Sequence, residues 1–317
     1  MRPAIAAAGV ILAVVSTLAA TPAGTHRGKE LPVPTPGATP WGITVGPDGN
    51  LWFTEHDGNK IGRLSTSGVF TEFLLPTPSA FPTGIAAGPD GNLWFAEFGA
   101  DKIGRITTSG LVTEFPVPTK GAAPTGITAG PDGNLWFTEY DANQIGRITP
   151  TGAIAEFPVL TPFASPDGIA AGPDGNIWFT EVATSKIGQI TPSGDATDFS
   201  IPTAYAYPVA ITAGPDGNLW FTENQKIGLI TISGAVTEFP VPYAGGSNGI
   251  AAGPDGNLWF TDEFTNKIGW ATTAGVITEG RLPTANAFPD GITAGPDGRI
   301  WFTEFNGNNI GAVSPQV

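Results

Sequence analysis

Two pairs of carboxylates recur at the same spacing in this sequence and could do chemistry together. Asp290 lies fourteen residues before Glu304, and Asp167 lies fourteen residues before Glu181. The midpoint of each spacing is the aspartate of a Gly-Pro-Asp-Gly turn, so the two acids of a pair are predicted to be approximate partners across a β-hairpin. Such pairs bind a divalent cation through oxygen, or one acid raises the pKa of the other toward the range of a general base.

Asp290 and Glu304 are therefore candidate catalytic residues and candidate ligands of Mg²⁺ or Ca²⁺. His56 is the third catalytic candidate, because it follows Glu55 at the start of a loop and is one of only two histidines in the chain. No nucleophile motif, P-loop or dinucleotide fingerprint occurs, so we expect no organic cofactor.

A structural interpretation of the acids stays open beside the chemical one. An acid occupies this position in every repeat of the chain, and in four repeats a lysine follows it five residues later. An ion pair within the repeat, or a hydrogen bond to turn amides, would explain that regularity without a ligand. The lysines are Lys60, Lys102, Lys186 and Lys267.

The elements that position these residues are repeats of one phrase, Gly-Pro-Asp-Gly followed by a short apolar run with Trp-Phe and a carboxylate. Its copies follow one another at intervals of 42 residues, with a single interval of 39. A fixed period near 42 with several strand-like runs in each unit is typical of β-propeller blades. The copies begin at Gly46, Gly88, Gly130, Gly172, Gly214, Gly253 and Gly295.

Each unit contains four strand-like runs separated by turn residues, so the fold class is all-β, a seven-bladed propeller with four-stranded antiparallel blades. The seventh unit ends at Val313 without the outer-strand pattern Thr-Glu-Phe-Pro. The segment Lys29-Glu30-Leu31-Pro32 near the N-terminus matches that pattern. The N-terminal strand is therefore predicted to close blade seven and to remove a free sheet edge.

The residue just before each inner strand, called position x, differs from blade to blade on the face opposite the Pro-Asp-Gly turns. Variation on a repeated frame is where ligand contacts are expected. The same face carries aromatic residues that suit a small molecule, a peptide or a glycan. The candidate ligand-binding residues are Trp41, Asn248, Phe288, Tyr207 and Asp167.

The composition of the chain limits where the protein is expected to act and which partners it is expected to bind. The formal net charge of −14 disfavours nucleic acid and anionic membranes, and the chain has no cysteine. Residues 1–23 contain Arg2, then an apolar alanine-rich stretch and small residues, which is typical of a secretory signal peptide. We expect the signal to be removed and residues 24–317 to form one secreted, monomeric propeller.

The repeated run Gly-Ile-Thr-Ala-Gly-Pro-Asp-Gly-Asn-Leu-Trp-Phe-Thr-Glu, with Lys-Ile-Gly-Arg-Ile-Thr and Thr-Glu-Phe-Pro-Val-Pro, resembles the streptogramin B lyase (virginiamycin B lyase) family. The resemblance covers nearly all of residues 29 to 317. It implies a seven-bladed propeller and a Mg²⁺-assisted elimination that opens a cyclic depsipeptide at its ester bond. It also implies site residues: histidine at position x of blades six and seven, one of them the general base, and tyrosine at x of blade one. A glutamate two residues before the last histidine and the acid that ends strand two of blade seven complete the set.

This chain departs from that pattern at four of the five positions. Asn248 and Asp290 stand where histidines are expected, Trp41 replaces the tyrosine, Phe288 replaces the first glutamate, and only Glu304 is retained. Three hypotheses therefore stay open. The chain is a secreted ligand-binding or scaffold propeller, a Mg²⁺-dependent carbon–oxygen lyase with a rearranged site, or a metal-dependent lactonase or hydrolase that acts on a cyclic ester.

Overall fold

The computed structural model describes residues 28–242 and 246–315. In those residues the chain forms 28 strands, and no helix is long and apolar enough to cross a membrane. The predicted signal peptide, residues 1–23, lies outside the described residues.

The strands are numbered in chain order. The N-terminal strand and blades one to three consist of β1 (Lys29–Pro32), β2 (Pro40–Val45), β3 (Leu51–Glu55), β4 (Lys60–Leu64), β5 (Phe70–Leu74), β6 (Pro82–Ala87), β7 (Leu93–Glu97), β8 (Lys102–Ile106), β9 (Val112–Pro116), β10 (Pro124–Ala129), β11 (Leu135–Glu139), β12 (Gln144–Ile148) and β13 (Ile154–Pro158). Blades four to seven consist of β14 (Pro166–Ala171), β15 (Ile177–Glu181), β16 (Lys186–Ile190), β17 (Ala196–Ser200), β18 (Ile211–Ala213), β19 (Leu219–Glu223), β20 (Lys226–Ile230), β21 (Val236–Pro240), β22 (Ser247–Ala252), β23 (Leu258–Asp262), β24 (Lys267–Ala271), β25 (Ile277–Arg281), β26 (Pro289–Ala294), β27 (Ile300–Glu304) and β28 (Asn309–Val313).

Seven four-stranded antiparallel sheets form the blades, and the inner strands contact one another around the ring, including β26 with β2. Six sheets are built from consecutive strands. The seventh has the order β1-β28-β27-β26, so the N-terminal strand supplies its outer edge. Lys29 pairs with Ala312 and Leu31 pairs with Ile310. The predicted seven-bladed propeller, closed by its N-terminal strand, is confirmed.

A hydrophobic cluster lies between each blade and the next. In the cluster between blades seven and one, Trp301 and Phe53 pack together with Ile43 and Leu64, all of them buried. The same pairing repeats around the ring, because the tryptophan of one blade meets the phenylalanine of the following blade. The tryptophans of the seven Trp-Phe pairs are no more than 1% exposed, which confirms their predicted place in the core. Because every blade fills the side of its neighbour, the stability of the ring depends on closure.

In blade seven, the arginine that contacts blade one comes from a different position than in blades one to three. In blades one to three, an arginine on the third strand lies over the blade's tryptophan and donates to a turn carbonyl of the next blade, as Arg63 does to Thr108 O at 2.9 Å. Blade seven has Ala312 at that strand position. Arg299, from the turn before β27, lies 4.5 Å from the Trp301 ring and donates to Thr66 O of blade one at 3.2 Å. Arg299 therefore restores the contact across the seam.

Candidate functional site

A cavity of about 260 Å³ lies on the propeller axis. Each blade contributes three successive residues of its inner strand region to the cavity wall: position x, then glycine or alanine, then isoleucine. All seven predicted x residues line it: Trp41, Thr83, Thr125, Asp167, Val209, Asn248 and Asp290. The variable positions inferred from the repeat therefore meet in one place.

A β-bulge sets the direction of the x side chains. In blade seven, Pro289 pairs with Glu304 and Ile292 pairs with Phe302, so the inner strand has one residue more than its partner between these pairs. The hydroxyl of Thr303 accepts a hydrogen bond from Gly291 N at 2.9 Å and donates to Trp41 O of blade one at 2.6 Å. The side chain of Thr303 thus bonds to backbone groups of blades seven and one where the ladder is interrupted beside position x.

Blade two lacks this threonine but keeps the same bulge, between Pro82 and Ile85. Blade two has Ala96 in place of the threonine, and the hydroxyl of Thr83 donates instead to Thr125 O of the next blade at 3.1 Å. A hydrogen bond from blade to blade at the level of the cavity is thus kept.

The bulge corrects the prediction that Asp290 and Glu304 are cross-strand partners, and likewise Asp167 and Glu181. The partner of Glu304 is Pro289, and that of Glu181 is Pro166. The aspartates lie on the cavity wall, whereas both glutamates are fully buried inside their blades. Equal spacing about the turn could not reveal the extra residue.

Glu304 is held within blade seven and does not line the cavity. Its Oε2 accepts a hydrogen bond from Asn309 Nδ2 at 2.7 Å. Burial raises the pKa of Glu304 to about 8, with an opposing contribution from Asn309 and a further increase from the nearby charge of Glu30. Glu304 is therefore largely a neutral acid at pH 7.

Three of the lysines that follow the buried acids pair with an acid of the outer strand: Lys60, Lys102 and Lys186. Lys102 Nζ lies 2.7 Å from Glu114 Oε2 on the outer strand, and it also donates to Thr77 Oγ1 at 2.5 Å. Burial raises the pKa of Glu97 to about 8, the charge of Glu114 adds to the increase, and Lys102 opposes it. The repeated acid is thus a structural residue of the blade. The lysine opposite it on the third strand pairs with the acid of the outer strand instead.

Asp290 and Asp167 are the two acids of the cavity, and each is partly exposed to it. Desolvation raises the pKa of Asp167 to about 6, against a hydrogen bond from Thr125. Desolvation also holds the pKa of Asp290 well above its ordinary value, and the charges of Glu263 and Asp167 add to this effect. The pKa of Asp290 is therefore raised by the charges of Glu263 and Asp167, and not by that of Glu304.

An aromatic row extends outward from the cavity across blades seven, one and two. Trp41 meets Phe305 edge to face, with ring centroids 5.5 Å apart, and lies 5.1 Å from the ring of His56. His56 stacks on Phe81 at 5.0 Å, and its Nδ1 lies 2.8 Å from Asp57 Oδ1. His56 is thus a member of the aromatic row and not a residue of the cavity wall.

A second cavity of about 270 Å³ opens between blades five and six and shares Val209 and Asn248 with the first. Tyr207 and Phe264 also line it, and Asn248 Nδ2 donates to Glu263 Oε2 at 3.3 Å. Phe264 meets the predicted ligand-binding residue Phe288 edge to face at 6.2 Å. Neither Glu263 nor Phe264 was among the predicted site residues, because both follow the repeat in a loop without a fixed pattern.

The two predicted metal ligands lie in different environments. Asp290 faces the cavity while Glu304 is enclosed in the blade and is largely neutral at pH 7. Within residues 28–242 and 246–315, no three Asp, Glu, His or Cys side chains are placed to hold a metal ion together. A Mg²⁺ ion usually takes carboxylate oxygens in octahedral geometry, and this arrangement offers no such set.

Comparison with known proteins places the chain in a family. The model of the virginiamycin B lyase family matches residues 20–167 and 130–317. The chain belongs to that family. The resemblance stated from the repeats is thereby confirmed.

Solved structures of virginiamycin B lyase agree with the assignment over nearly the whole chain. The selenomethionine-substituted virginiamycin B lyase from Staphylococcus aureus is 41% identical, with a TM-score of 0.88, and the match covers 92% of this chain and 99% of that one. A catalytically inactive histidine-to-alanine variant of the S. aureus lyase with quinupristin gives the same identity, coverage and TM-score.

A curated relative, the virginiamycin B lyase of Bacillus licheniformis, matches over a single repeat length. It is 52% identical over 42 residues, which are 13% of this chain and 14% of that protein. In the virginiamycin B lyase frame, the two positions at which the resemblance expects histidine are Asn248 and Asp290, and both lie on the wall of the axial cavity.

Proposed function

We propose that this member of the virginiamycin B lyase family binds a small molecule, a peptide or a glycan on its axial face and does not open streptogramin B at enzymatic rates. The observation that carries the proposal is the cavity wall at blades six and seven, which presents Asn248 and Asp290 in place of histidine. Asparagine cannot accept a proton as a general base, and among the described residues that line the cavity none is a histidine.

The related S. aureus protein supports this separation of binding from turnover. Its histidine-to-alanine variant is described as catalytically inactive and was crystallised with quinupristin. By analogy, a propeller of this family that has lost a histidine can keep a ligand while losing the reaction. The aromatic row of Trp41, His56 and Phe305 supplies apolar surface for such a ligand.

Calorimetric titration with quinupristin tests the proposal. We expect saturable binding without the linear product, whether Mg²⁺ is present or absent, with the product followed by mass spectrometry. Product formation at about 1 s⁻¹ or faster, an ordinary enzymatic rate, would overturn the proposal. Absence of any binding would restrict the protein to a scaffold role for this ligand class.

A second candidate function is a carbon–oxygen lyase, or a lactonase or hydrolase of cyclic esters, with Asp290 as the base. One observation favours it: desolvation and the charges of Glu263 and Asp167 hold the pKa of Asp290 well above its ordinary value. A carboxylate with a raised pKa is a stronger base than an ordinary aspartate. Incubation with simple lactones, with and without Mg²⁺ or Ca²⁺, distinguishes this candidate from a binding protein.

We further propose that the mature protein acts outside the cytoplasm as a monomer. The apolar N-terminal stretch after Arg2 supports export, and the formal net charge of −14 disfavours nucleic acid and anionic membranes as partners. Mass spectrometry of the exported protein tests whether the signal peptide is removed. The molecular mass in solution tests whether the protein is a monomer. A retained N-terminus or a stable dimer would contradict them.

A further inference from the structure

The wall of the axial cavity is acidic and has no compensating base. Asp290 and Asp167 both line it, and Glu263 lies close enough to act on Asp290. Among the described residues that line the cavity, none is lysine, arginine or histidine. Carboxylates in a narrow cleft with low-dielectric walls concentrate negative potential, and that potential favours a cation in the cleft.

One aromatic ring shares the cavity wall with Asp290. Trp41, from the neighbouring blade, lines the same cavity and meets Phe305 edge to face. Phe288 precedes Asp290 by two residues and contacts Phe264. The face of an aromatic ring attracts a cation through its quadrupole, most strongly where water is excluded. The rings and the acid thus favour the same class of ligand for independent reasons.

The size of the cavity favours an organic cation over a metal ion. A volume of about 260 Å³ is room for about eight or nine waters at about 30 Å³ each. A bare metal ion would leave most of that space to solvent, and the described residues offer no group of metal-binding side chains there. A small ammonium compound with an apolar body would contact both the acids and the rings.

We propose that the axial cavity takes an organic ammonium group, with Asp290 as its counter-ion and the ring of Trp41 against its apolar part. This inference rests on the proposed function, because it names the ligand class of the axial face. It makes the cavity selective for amines and quaternary ammonium compounds over neutral molecules of the same shape.

The groups that face Asp290 determine how cation binding is coupled to its ionisation. Its titratable neighbours are Asp167 and Glu263, and Asn248 beside it is neutral. All of these neighbours are acidic or neutral, so a bound cation stabilises the ionised form of Asp290. Binding of an ammonium ligand should therefore release a proton and strengthen as the pH rises.

The test uses phenethylammonium and its neutral analogue 2-phenylethanol, titrated into the mature protein by calorimetry. We expect phenethylammonium to bind at least about ten times more tightly, with proton release seen in buffers of different ionisation enthalpy. Asp290→Asn and, separately, Asp167→Asn should reduce this preference. Asp195→Asn, which removes an exposed charge in the turn between β16 and β17, should keep it.

Two results would overturn the inference. Equal binding of the amine and the alcohol would show an aromatic site without charge selection, and absence of binding by both would show that the cavity does not take an ammonium group. Quinupristin titrated into the same preparation separates this failure from failure of the proposed function, because quinupristin binding would survive if only the charge selection were wrong.

Discussion

The indole ring of Trp41 lies against the imidazole ring of His56, with centroids 5.1 Å apart and planes inclined by 35°. The first ring lines the axial cavity, and the second continues the aromatic row to Phe81. His56 was a candidate base, but its ring lies between two aromatic side chains and pairs with Asp57. The contact therefore places His56 beside a residue of the cavity wall.

Trp41→Ala should weaken quinupristin binding by about tenfold. An aromatic pair contributes about 0.5–1.5 kcal/mol beyond its buried area, and the variant also removes apolar surface from the cavity mouth. Calorimetry measures the affinity, and far-ultraviolet circular dichroism verifies the fold. Phe163→Ala is the control, because Phe163 is 87% exposed and does not line the cavity. Equal losses in the two variants would contradict a specific role of Trp41.

Removal of residues 24–35 should lower the melting temperature and promote aggregation. The deletion takes away β1, which pairs with β28, and with it the bonds of Glu30 to Thr284 N at 3.1 Å and to Thr284 Oγ1 at 2.6 Å. It exposes a sheet edge and uncovers blade seven. Thermal melts followed by circular dichroism measure the effect, and deletion of residues 24–27 is the control. An unchanged melting temperature without aggregation would show that closure by β1 does not stabilise the ring.

The stability of the ring should fall as the pH rises from about 5 to 9. Burial raises the pKa of Glu97 to about 8 from its ordinary value of 4.5, and the same holds for its counterparts in blades one, three, five and seven. A group whose pKa is higher in the folded state binds more protons there, so its stabilisation is complete below the unfolded pKa and is lost as the pH passes the folded value. Each such group can lower the free energy of unfolding by up to about 1.4 kcal/mol per pH unit in that window.

Urea unfolding at several pH values measures this dependence. Glu97→Gln replaces a neutral acid by a neutral amide of the same shape, so it should flatten the pH profile while leaving the stability at pH 5 little changed. Asp195→Asn, at an exposed turn, should leave the slope unaltered. A stability that rises through pH 8 would contradict the protonated state of the buried acids.

Binding of Mg²⁺ or Ca²⁺ should be no tighter than millimolar and should not depend on Glu304. Glu304 is fully buried and largely neutral at pH 7, whereas Asp290 lies on the cavity wall. Calorimetry measures the affinity of the Glu304→Gln and Asp290→Asn variants for Mg²⁺ and Ca²⁺ and so compares the contributions of the two residues. Tight binding that is lost in Glu304→Gln would restore the paired-carboxylate hypothesis.

The ring could be predicted from the sequence because its evidence is repeated. The 42-residue period and the Trp-Phe pairs recur along the chain. The N-terminal strand, Lys29–Pro32, could be recognised because it matches the outer strands of the other blades. The family followed from the same repeats. Prediction failed at the β-bulge of the inner strand, where one extra residue between Pro289 and Ile292 shifts the register and separates Asp290 from Glu304.

The loops around the cavity were predictable only in part. Position x could be located by counting from the turn, so Asn248, Asp167 and Trp41 were placed correctly on the cavity wall. Glu263 and Phe264 lie in a loop whose residues vary among the repeats, and their approach to Asn248 and Phe288 depends on packing between blades. Spacing along the chain carries no information about such contacts.

Ring opening of quinupristin by the chain and by the triple variant Asn248→His/Asp290→His/Phe288→Glu tests the central claim most directly. The variant restores the residues expected from the family at positions where Asn248 and Asp290 line the cavity. Thr125→His/Val209→His, which places two histidines elsewhere on the same wall, is the matched control. We predict no measurable product with the unaltered chain or the control, and measurable Mg²⁺-dependent product with the triple variant. Turnover by the unaltered chain at about 1 s⁻¹ or faster would contradict the account.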